Sequence, residues 1–378
     1  MNFDLSSEHC EIQQEAKNLA SKIEPLAAQA DELSVVHPTL KEMLRESGLV
    51  DLMVTTKYGG RTEQLDPLSI CLVREVLAGT SCQLDSLFAM QGIGSFAITE
   101  KGSINQCEKW LPNVRSLDSL AALALTEPDA GSDLKSIITE IHETNSGFLL
   151  SGAKSWISNA GAASFYLVFV RDGGRFTMVI VPAESKGLRV TPCPEIISPH
   201  VLGEVTFDDV NLPADCIIGE RGAALDLVLA TLGTFRVSVA GAAVGLADAA
   251  LQEAIMHTSQ RKQFGRPLAK LGAVEQMLAD CWTEIEMIRL LTYRAAQYAA
   301  IDPLESVHHS SMAKLAATEA ASKIVDRCSQ VMGRFGLARG TKMERLYRQA
   351  RPMRIYEGAS EVLRVGITRK LIEERTKN

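Results

Sequence analysis

The hydrophobic period of this chain changes twice, and that change limits the folds open to it. From Asp4 to about Leu111 apolar residues recur three and four apart, as in HPTLKEMLRESGLVDLM and PLSICLVREVLAGTSCQLDSLFAM, the period of amphipathic helices. From about Ser119 to Gly219 the period falls to two, in short runs (GFLLSG, FYLVFVR, FTMVIVP, EVTFDDVNLP) broken by Gly, Pro and Asp. After Ala223 long helical stretches return, with small residues along RVSVAGAAVGLADAALQEAI and breaks at FGRPL, RFGLARG and ARPMRIYEGA. The expected fold class is α+β in three domains: an all-α domain over 1–118, a central antiparallel β domain over 119–222 and a C-terminal helical domain over 223–378. Strands gathered in one block cannot alternate with helices as a dinucleotide-binding βαβ fold requires. Neither Gly-x-Gly-x-x-Gly after a strand nor a phosphate-cradling Gly-x-x-x-x-Gly-Lys-Ser/Thr is present, so any nucleotide cofactor must be held another way.

Composition narrows the partners. Net charge is −7 with no long basic block, which argues against nucleic acid. No run of about 18 uninterrupted apolar residues suggests insertion into a membrane. The N-terminal MNFDLSSEHCEIQQEAKNLA lacks the basic start and apolar run of a signal peptide, and a cytoplasmic location is expected. The cysteines at 10, 71, 82, 107, 193, 216, 281 and 328 form no Cys-x-x-Cys pair, and His308 and His309 are adjacent rather than one turn apart. Neither a metal nor a disulfide framework is expected.

Four stretches carry possible chemistry. In RIYEGASEV, Glu357 sits between an aromatic and a glycine just before the last helix; alone this reads equally as a loop ending at a helix with Ser360 as N-cap. LALTEPDAGSD offers the Thr126 hydroxyl and the backbone amides near Gly131 and Ser132 to a polar heteroaromatic ring or a phosphate, or is simply a turn. In GAKSWISNAG, Trp156 presents a flat face and Ser158, two residues on, a hydroxyl on the same side of a strand; a core tryptophan is the plainer alternative. QRKQFGRPL ends a long helix with Arg261 and Phe264, suited to a pyrophosphate and a ring, or to a solvated helix end.

Taken together, KYGG, LTEPDAGSD, GAKSWISNAG, VTFDDVNLPADCIIGERGAAL, RKQFGRPL and IYEGASEVLR resemble the acyl-CoA dehydrogenase family in order and spacing over nearly the whole chain. The resemblance implies a helical domain, a central β-barrel-like domain and a C-terminal four-helix bundle. It also implies FAD bound across a subunit interface of a homotetramer, an acyl-CoA or acyl-carrier thioester as substrate, and an electron-transfer flavoprotein as acceptor. By the same resemblance Glu357 removes the α-proton while the flavin takes the β-hydride. Leu125, Thr126, Gly131, Ser132, Trp156 and Ser158 would face the flavin; Arg261, Phe264 and Gln330 would contact the adenosine diphosphate half from a neighbouring subunit. Ser132, Arg236, Tyr356 and Gly358 would meet the thioester. An ordinary glutamate, with a pKa of about 4.3, is a weak base for a carbon acid, so burial must raise Glu357. Some branches of the family carry the base immediately before the arginine of the TLGTFRVSV helix; here that position is Phe235, which cannot accept a proton.

Departures accompany the matches. Ala359 stands where the family has a threonine, Arg334 where it has a second glycine, Gly233 where an aspartate approaches the CoA tail, and Gly272 at about the place of a glutamine. Gly233 supports the alternative of a carrier-protein thioester. Ala359 and Arg334 support a scaffold that has lost its cofactor. Asp85, on the helix expected to floor the acyl pocket, reads as a water-facing helix carboxylate, as an acid that binds a polar acyl group and repels a second carboxylate, or as a second base for 1,4-elimination on a cyclic enoyl-CoA.

Overall fold

The computed structural model describes residues 4–376. Among these, six α-helices come first: α1 (Ser7–Ala30), α2 (Pro38–Ser47), α3 (Pro67–Ala78), α4 (Cys82–Ile93), α5 (Phe96–Lys101) and α6 (Ile104–Arg115). Eight strands follow: β1 (Ala121–Ala124), β2 (Glu140–Thr144), β3 (Gly147–Ser158), β4 (Phe165–Asp172), β5 (Arg175–Pro182), β6 (Leu188–Pro192), β7 (Leu202–Pro213) and β8 (Ile217–Ile218). Then come α7 (Ala224–Gln260), the hairpin strands β9 (Lys262–Gln263) and β10 (Arg266–Pro267), α8 (Gly272–Ile301), α9 (Val307–Met332), α10 (Lys342–Ala350) and α11 (Ser360–Thr376). The chain divides into two compact units that interleave in sequence: one takes the segments up to Glu32, Pro67–Asp85 and from Leu232 onwards, the other Leu33–Asp66 and Ser86–Thr231.

The sheet belongs to the second unit. Its hydrogen-bonded path runs β6, β7, β3, β2, β4, β5, β8, with β1 joined to β4 in parallel over Ala121↔Phe165 to Ala124↔Val168. The order of helical domain, central sheet and helical domain is as expected; the sheet is largely antiparallel but mixed, with β1 and β2 parallel to β4, and 'barrel-like' describes it only loosely. The cause lies in β4: Phe165 to Val170 are all buried, as a strand covered on both faces must be. A strand of that kind takes a parallel neighbour from sequence about forty positions earlier, a pairing that alternation cannot reveal. In β7, buried and less buried positions alternate, the mark of a strand with one solvated face.

In the helical unit, small residues let helices meet backbone to backbone. A Cβ on Gly245 would lie 1.6 Å from the Glu75 carbonyl oxygen, and one on Gly241 2.8 Å from that of Cys71. Glycines four apart on α7 thus form the groove into which α3 fits. Glu75 then reaches α8, accepting from Arg289 at 2.8 Å and Tyr293 at 2.8 Å. By length and composition α7 is apolar enough to cross a membrane, but 83% of its most apolar window is buried inside the protein, as befits a core helix.

Gly245→Ala is expected to cost about 3 kcal/mol or more, because backbone rather than a movable side chain opposes the new methyl. Gly366→Ala, in α11 with open space around its Cβ position, should instead stabilise by ~0.5–1 kcal/mol. Urea denaturation of the two variants beside the parent measures both.

Candidate active site

The loop between residues 354 and 360 is held from both sides. Arg354 Nε and Ser360 Oγ both donate to Glu319 Oε1 on α9, at 2.9 and 2.7 Å. Ser360 is thus the first residue of α11 and a tether to α9, not the N-cap that its sequence suggests. Within the loop Glu357 has φ +52° and Gly358 φ +101°; the first is an uncommon, strained conformation for a side-chain-bearing residue. Two buried cations maintain it through the backbone. Arg236 Nε donates to the Glu357 carbonyl at 2.8 Å, and Lys314 Nζ to the Gly358 carbonyl at 2.8 Å. A Cβ on residue 358 would lie 2.9 Å from Leu363 Cδ2 and 3.3 Å from Arg236 Nη2, so only glycine lets the guanidinium close in.

Because the backbone takes those bonds, the side chain is left free. Glu357 Oε2 is buried with no hydrogen-bond partner. Burial pushes the Glu357 carboxyl above its ordinary value, against the pull of Arg74, Arg236 and Lys314. Lys314, wholly buried, is pushed down to about 8 by desolvation. A carboxylate that is desolvated and free to accept, on a backbone that cannot turn, has the properties of a general base.

Arg236, expected at a thioester, donates Nε to the Glu357 carbonyl and Nη1 to Ser311 Oγ at 3.0 Å. It is a strut of the loop. Asp85 does not face water: it is 5% exposed, and Arg74 grips both its oxygens, Nε to Oδ1 at 2.9 Å and Nη2 to Oδ2 at 2.7 Å. Both oxygens are engaged by a permanently charged group, which counts against a role as second base. Tyr356, 40% exposed, keeps an accessible ring beside Glu357. The glycine at 233 also has a packing cause: a Cβ there would sit 1.9 Å from the Pro303 carbonyl oxygen, and Ser310 Oγ donates to the Gly233 carbonyl at 2.6 Å.

Residues expected near a flavin ring lie in the second unit. Strand β3 slips register against β7 between Lys154 and Ile157, and this bulge holds Trp156 at φ +58° with 47% of its surface exposed. Trp156 is therefore not a core residue. Ser158 Oγ lies 3.2 Å from His200 Nε2, which also meets Ser86 Oγ at 3.3 Å. Leu125 and Thr126, both partly buried, precede a loop fixed from below: Lys154 Nζ donates to the Leu125 carbonyl and to Glu127 Oε1, each at 2.9 Å, and Glu127 also accepts from the Ile138 and Thr139 amides. Burial alone would raise Glu127, but the Ile138 amide and Lys154 outweigh it and hold it below its usual range; burial takes Lys154 down to about 8. At Gly131 a Cβ would meet nothing nearer than Thr126 Cγ2 at 4.0 Å, and Ser132 beside it is exposed. Space over a glycine that the protein's own sterics do not demand, next to an outward-facing indole, suits a planar ligand lying close to backbone.

In the helical unit, Arg261 lies over the Phe335 ring at 5.7 Å, Phe264 is 90% exposed and Gln330 is exposed. The segment read as a helix stop is in fact a hairpin turn, β9 to β10, whose central Phe264 and Gly265 both have positive φ. Arg334 lies over the same Phe335 ring at 5.1 Å. Among the described residues no group of His, Cys, Asp or Glu is arranged to hold a metal.

Sequence reasoning missed Lys314, Arg74 and His200. The first two carry a signal: a cation inside a small-residue stripe (MAKLAATEAA) or an apolar run (CLVREVL) must find a buried partner. His200, in SPHVLG, carries none.

Comparison with known proteins covers nearly the whole chain. Family models match in three consecutive parts: the acyl-CoA dehydrogenase N-terminal domain over 6–118, middle domain over 122–210 and C-terminal domain over 223–372. The chain is 31% identical to cyclohexane-1-carbonyl-CoA dehydrogenase of Geobacter metallireducens, covering 93% of this chain and 94% of that protein. It is also 31% identical to glutaryl-CoA dehydrogenase of Desulfococcus multivorans, over 97% and 96%. The solved structure of butyryl-CoA dehydrogenase from Megasphaera elsdenii superposes with a TM-score of 0.92 at 29% identity, covering 98% of this chain and all of that one.

Lys154→Met removes one partner of a buried ion pair and leaves Glu127 without its counter-charge. A loss of about 3–5 kcal/mol is expected in urea denaturation. Lys154→Arg should recover part of it.

Proposed function

The chain belongs to the acyl-CoA dehydrogenase family, and from that premise we propose that it is an FAD-dependent oxidoreductase that converts an acyl-CoA to the 2,3-enoyl-CoA, with Glu357 as the base. One observation carries this reading: a desolvated carboxylate with an unpartnered Oε2, on a residue whose backbone, not its side chain, takes the buried cations' hydrogen bonds. The residues present fit a flavin, because the exposed Trp156, Ser158 and the open space over Gly131 offer a stacking face, a hydroxyl and room for close approach. Leu125, Thr126, Gly131, Ser132, Trp156 and Ser158 would hold the ring, and Arg261, Phe264 and Gln330 would contact the adenosine diphosphate half of a cofactor held by a neighbouring subunit. FAD, when bound, supplies the acceptor for the β-hydride.

Everything else is the work of the chain. Glu357 takes the α-proton at its carboxylate; burial raises its basicity towards that of the task, while Arg74, Arg236 and Lys314 keep its ionised form within reach. Arg236 and Lys314 fix the approach of the base by holding two successive carbonyls. Gly358 lets this happen without a steric clash, and Tyr356 borders the acyl group. The carrier-protein alternative drew on Gly233, and packing against Pro303 now accounts for that residue. Exposed apolar side chains on α8 (Trp282, Met287, Leu290) and α11 (Val365, Leu371, Ile372) fit the homo-oligomer that forms part of this proposal, as do an electron-transfer flavoprotein acceptor and a cytoplasmic location.

Anaerobic bleaching of the flavin absorbance by straight, branched and cyclic acyl-CoAs tests the reaction. One class should bleach wild type rapidly, and Glu357→Gln should slow this by at least ~10³-fold while remaining yellow; equal bleaching by the variant would remove Glu357 from the role of base. The sign of the pH effect follows from the raised carboxyl: the rate climbs as pH passes upward through the elevated value. The folded state prefers the protonated form, so the stability this group contributes is present below its unfolded value and lost as pH rises through the folded one. Glu357→Gln should therefore melt higher than wild type at neutral pH.

A further inference from the structure

An exposed aromatic ring at the C-terminal end of α7 gathers cations that no acid of the chain neutralises. The turn Gly333–Leu337, which follows α9, is tied down where Ser329 Oγ donates to the Gly336 carbonyl at 3.2 Å, and it leaves Arg334 and Phe335 exposed. Around the Phe335 ring lie the Arg334 guanidinium at 5.1 Å, the Arg261 guanidinium at 5.7 Å and the His257 imidazole at 5.0 Å. Among the described residues neither guanidinium has a carboxylate partner or a side-chain hydrogen bond. Stacking occupies the face of a guanidinium and leaves its rim of N–H donors free for an anion. Burial and the Arg261 charge hold the His257 imidazole below its ordinary value, so at neutral pH it adds no third charge. Two like charges on one ring repel, in a chain whose net charge is −7. A ligand with negative charge on adjacent groups completes such a pair, and a diphosphate has that chemistry.

We propose that Arg334 is a diphosphate-binding residue for FAD, which with Arg261 closes a clamp of two guanidiniums on the cofactor of a neighbouring copy of this chain. This rests on the dehydrogenase reading above. The sequence sets Arg334 beside Ala359 as signs of a lost cofactor; the structure separates the two, because Arg334 stands on the ring that Arg261 also covers and adds a donor fork to the site. Residue 334 is thus a gain of charge where the cofactor carries its own, and retention of FAD becomes sensitive to salt.

Release of FAD from the holoprotein tests this without turnover. Serial dilution at low and at high salt, read by the fluorescence of freed flavin, gives Kd for wild type, Arg334→Met, Arg334→Lys and, as an exposed basic control, Arg339→Met. Arg334→Met should raise Kd about 10-fold and respond less to salt than wild type, since a hydrogen bond to a charged group is lost. Arg334→Lys should keep the salt response and recover part of the affinity, lacking only the fork. Arg339→Met should match wild type. Coenzyme A, which also carries a diphosphate, should shift the melting temperature of wild type and Arg334→Met alike. A wild-type Kd and salt response in Arg334→Met, or a coenzyme A shift that depends on Arg334 while FAD retention does not, would overturn the proposal and leave the dehydrogenase reading intact. FAD retention that depends on Arg334, in a protein bleached by no acyl-CoA, would uphold the clamp and remove that reading. A wild type that holds no FAD would overturn both.

Discussion

Two hydrogen bonds from buried cations to successive carbonyl oxygens, Arg236 to Glu357 and Lys314 to Gly358, govern the candidate site. They hold a backbone in a left-handed conformation that glutamate seldom adopts, and they do so without touching the carboxylate. Had either cation paired with the side chain, it would have favoured the ionised form and lowered the proton affinity of the proposed base. Using the backbone as the handle separates geometry from basicity. Their Coulomb pull on Glu357 remains, tempered because each is also solvating a carbonyl.

The surrounding packing serves this arrangement. Gly241 and Gly245 let α3 lie against α7, and α3 carries Arg74 while α7 carries Arg236 and Ser238. Lys314 sits on α9 among Ala313, Ala317 and Ala321, all fully buried, so its ammonium can go only to the Gly358 carbonyl. Burying these ionised groups costs stability that an apolar network of the same shape would not. The helical core supplies the excess, and the cost is concentrated where the proposed proton transfer needs low dielectric.

Much of the fold was legible because period is a local property. The helix, strand, helix succession follows from side chains spaced three and four or two apart, and the small-residue run of α7 announced close helix contact. What escaped notice is non-local. The parallel β1 to β4 pair joins Ala121 to Phe165, and nothing in either segment alone encodes its partner. The site divides in the same way: Glu357, Trp156 and Ser158 stand in motifs that can be read along the chain, whereas Lys314 and Arg74 act from helices 43 and 283 positions away from Glu357 and became meaningful only once folded. Gly233 shows the hazard of reading a missing side chain as a missing function, for its absence follows from the Pro303 carbonyl.

The central claim is that Glu357 is a base whose proton affinity burial raises, against the pull of cations that do not bond its carboxylate. Titrating its carboxyl by difference infrared spectroscopy, with Glu357→Gln identifying the band, in wild type and in Lys314→Met tests it most directly. The account predicts a midpoint above that of an ordinary glutamate in wild type, and a higher one still when the Lys314 charge is removed. A midpoint at the ordinary value in both proteins would contradict it.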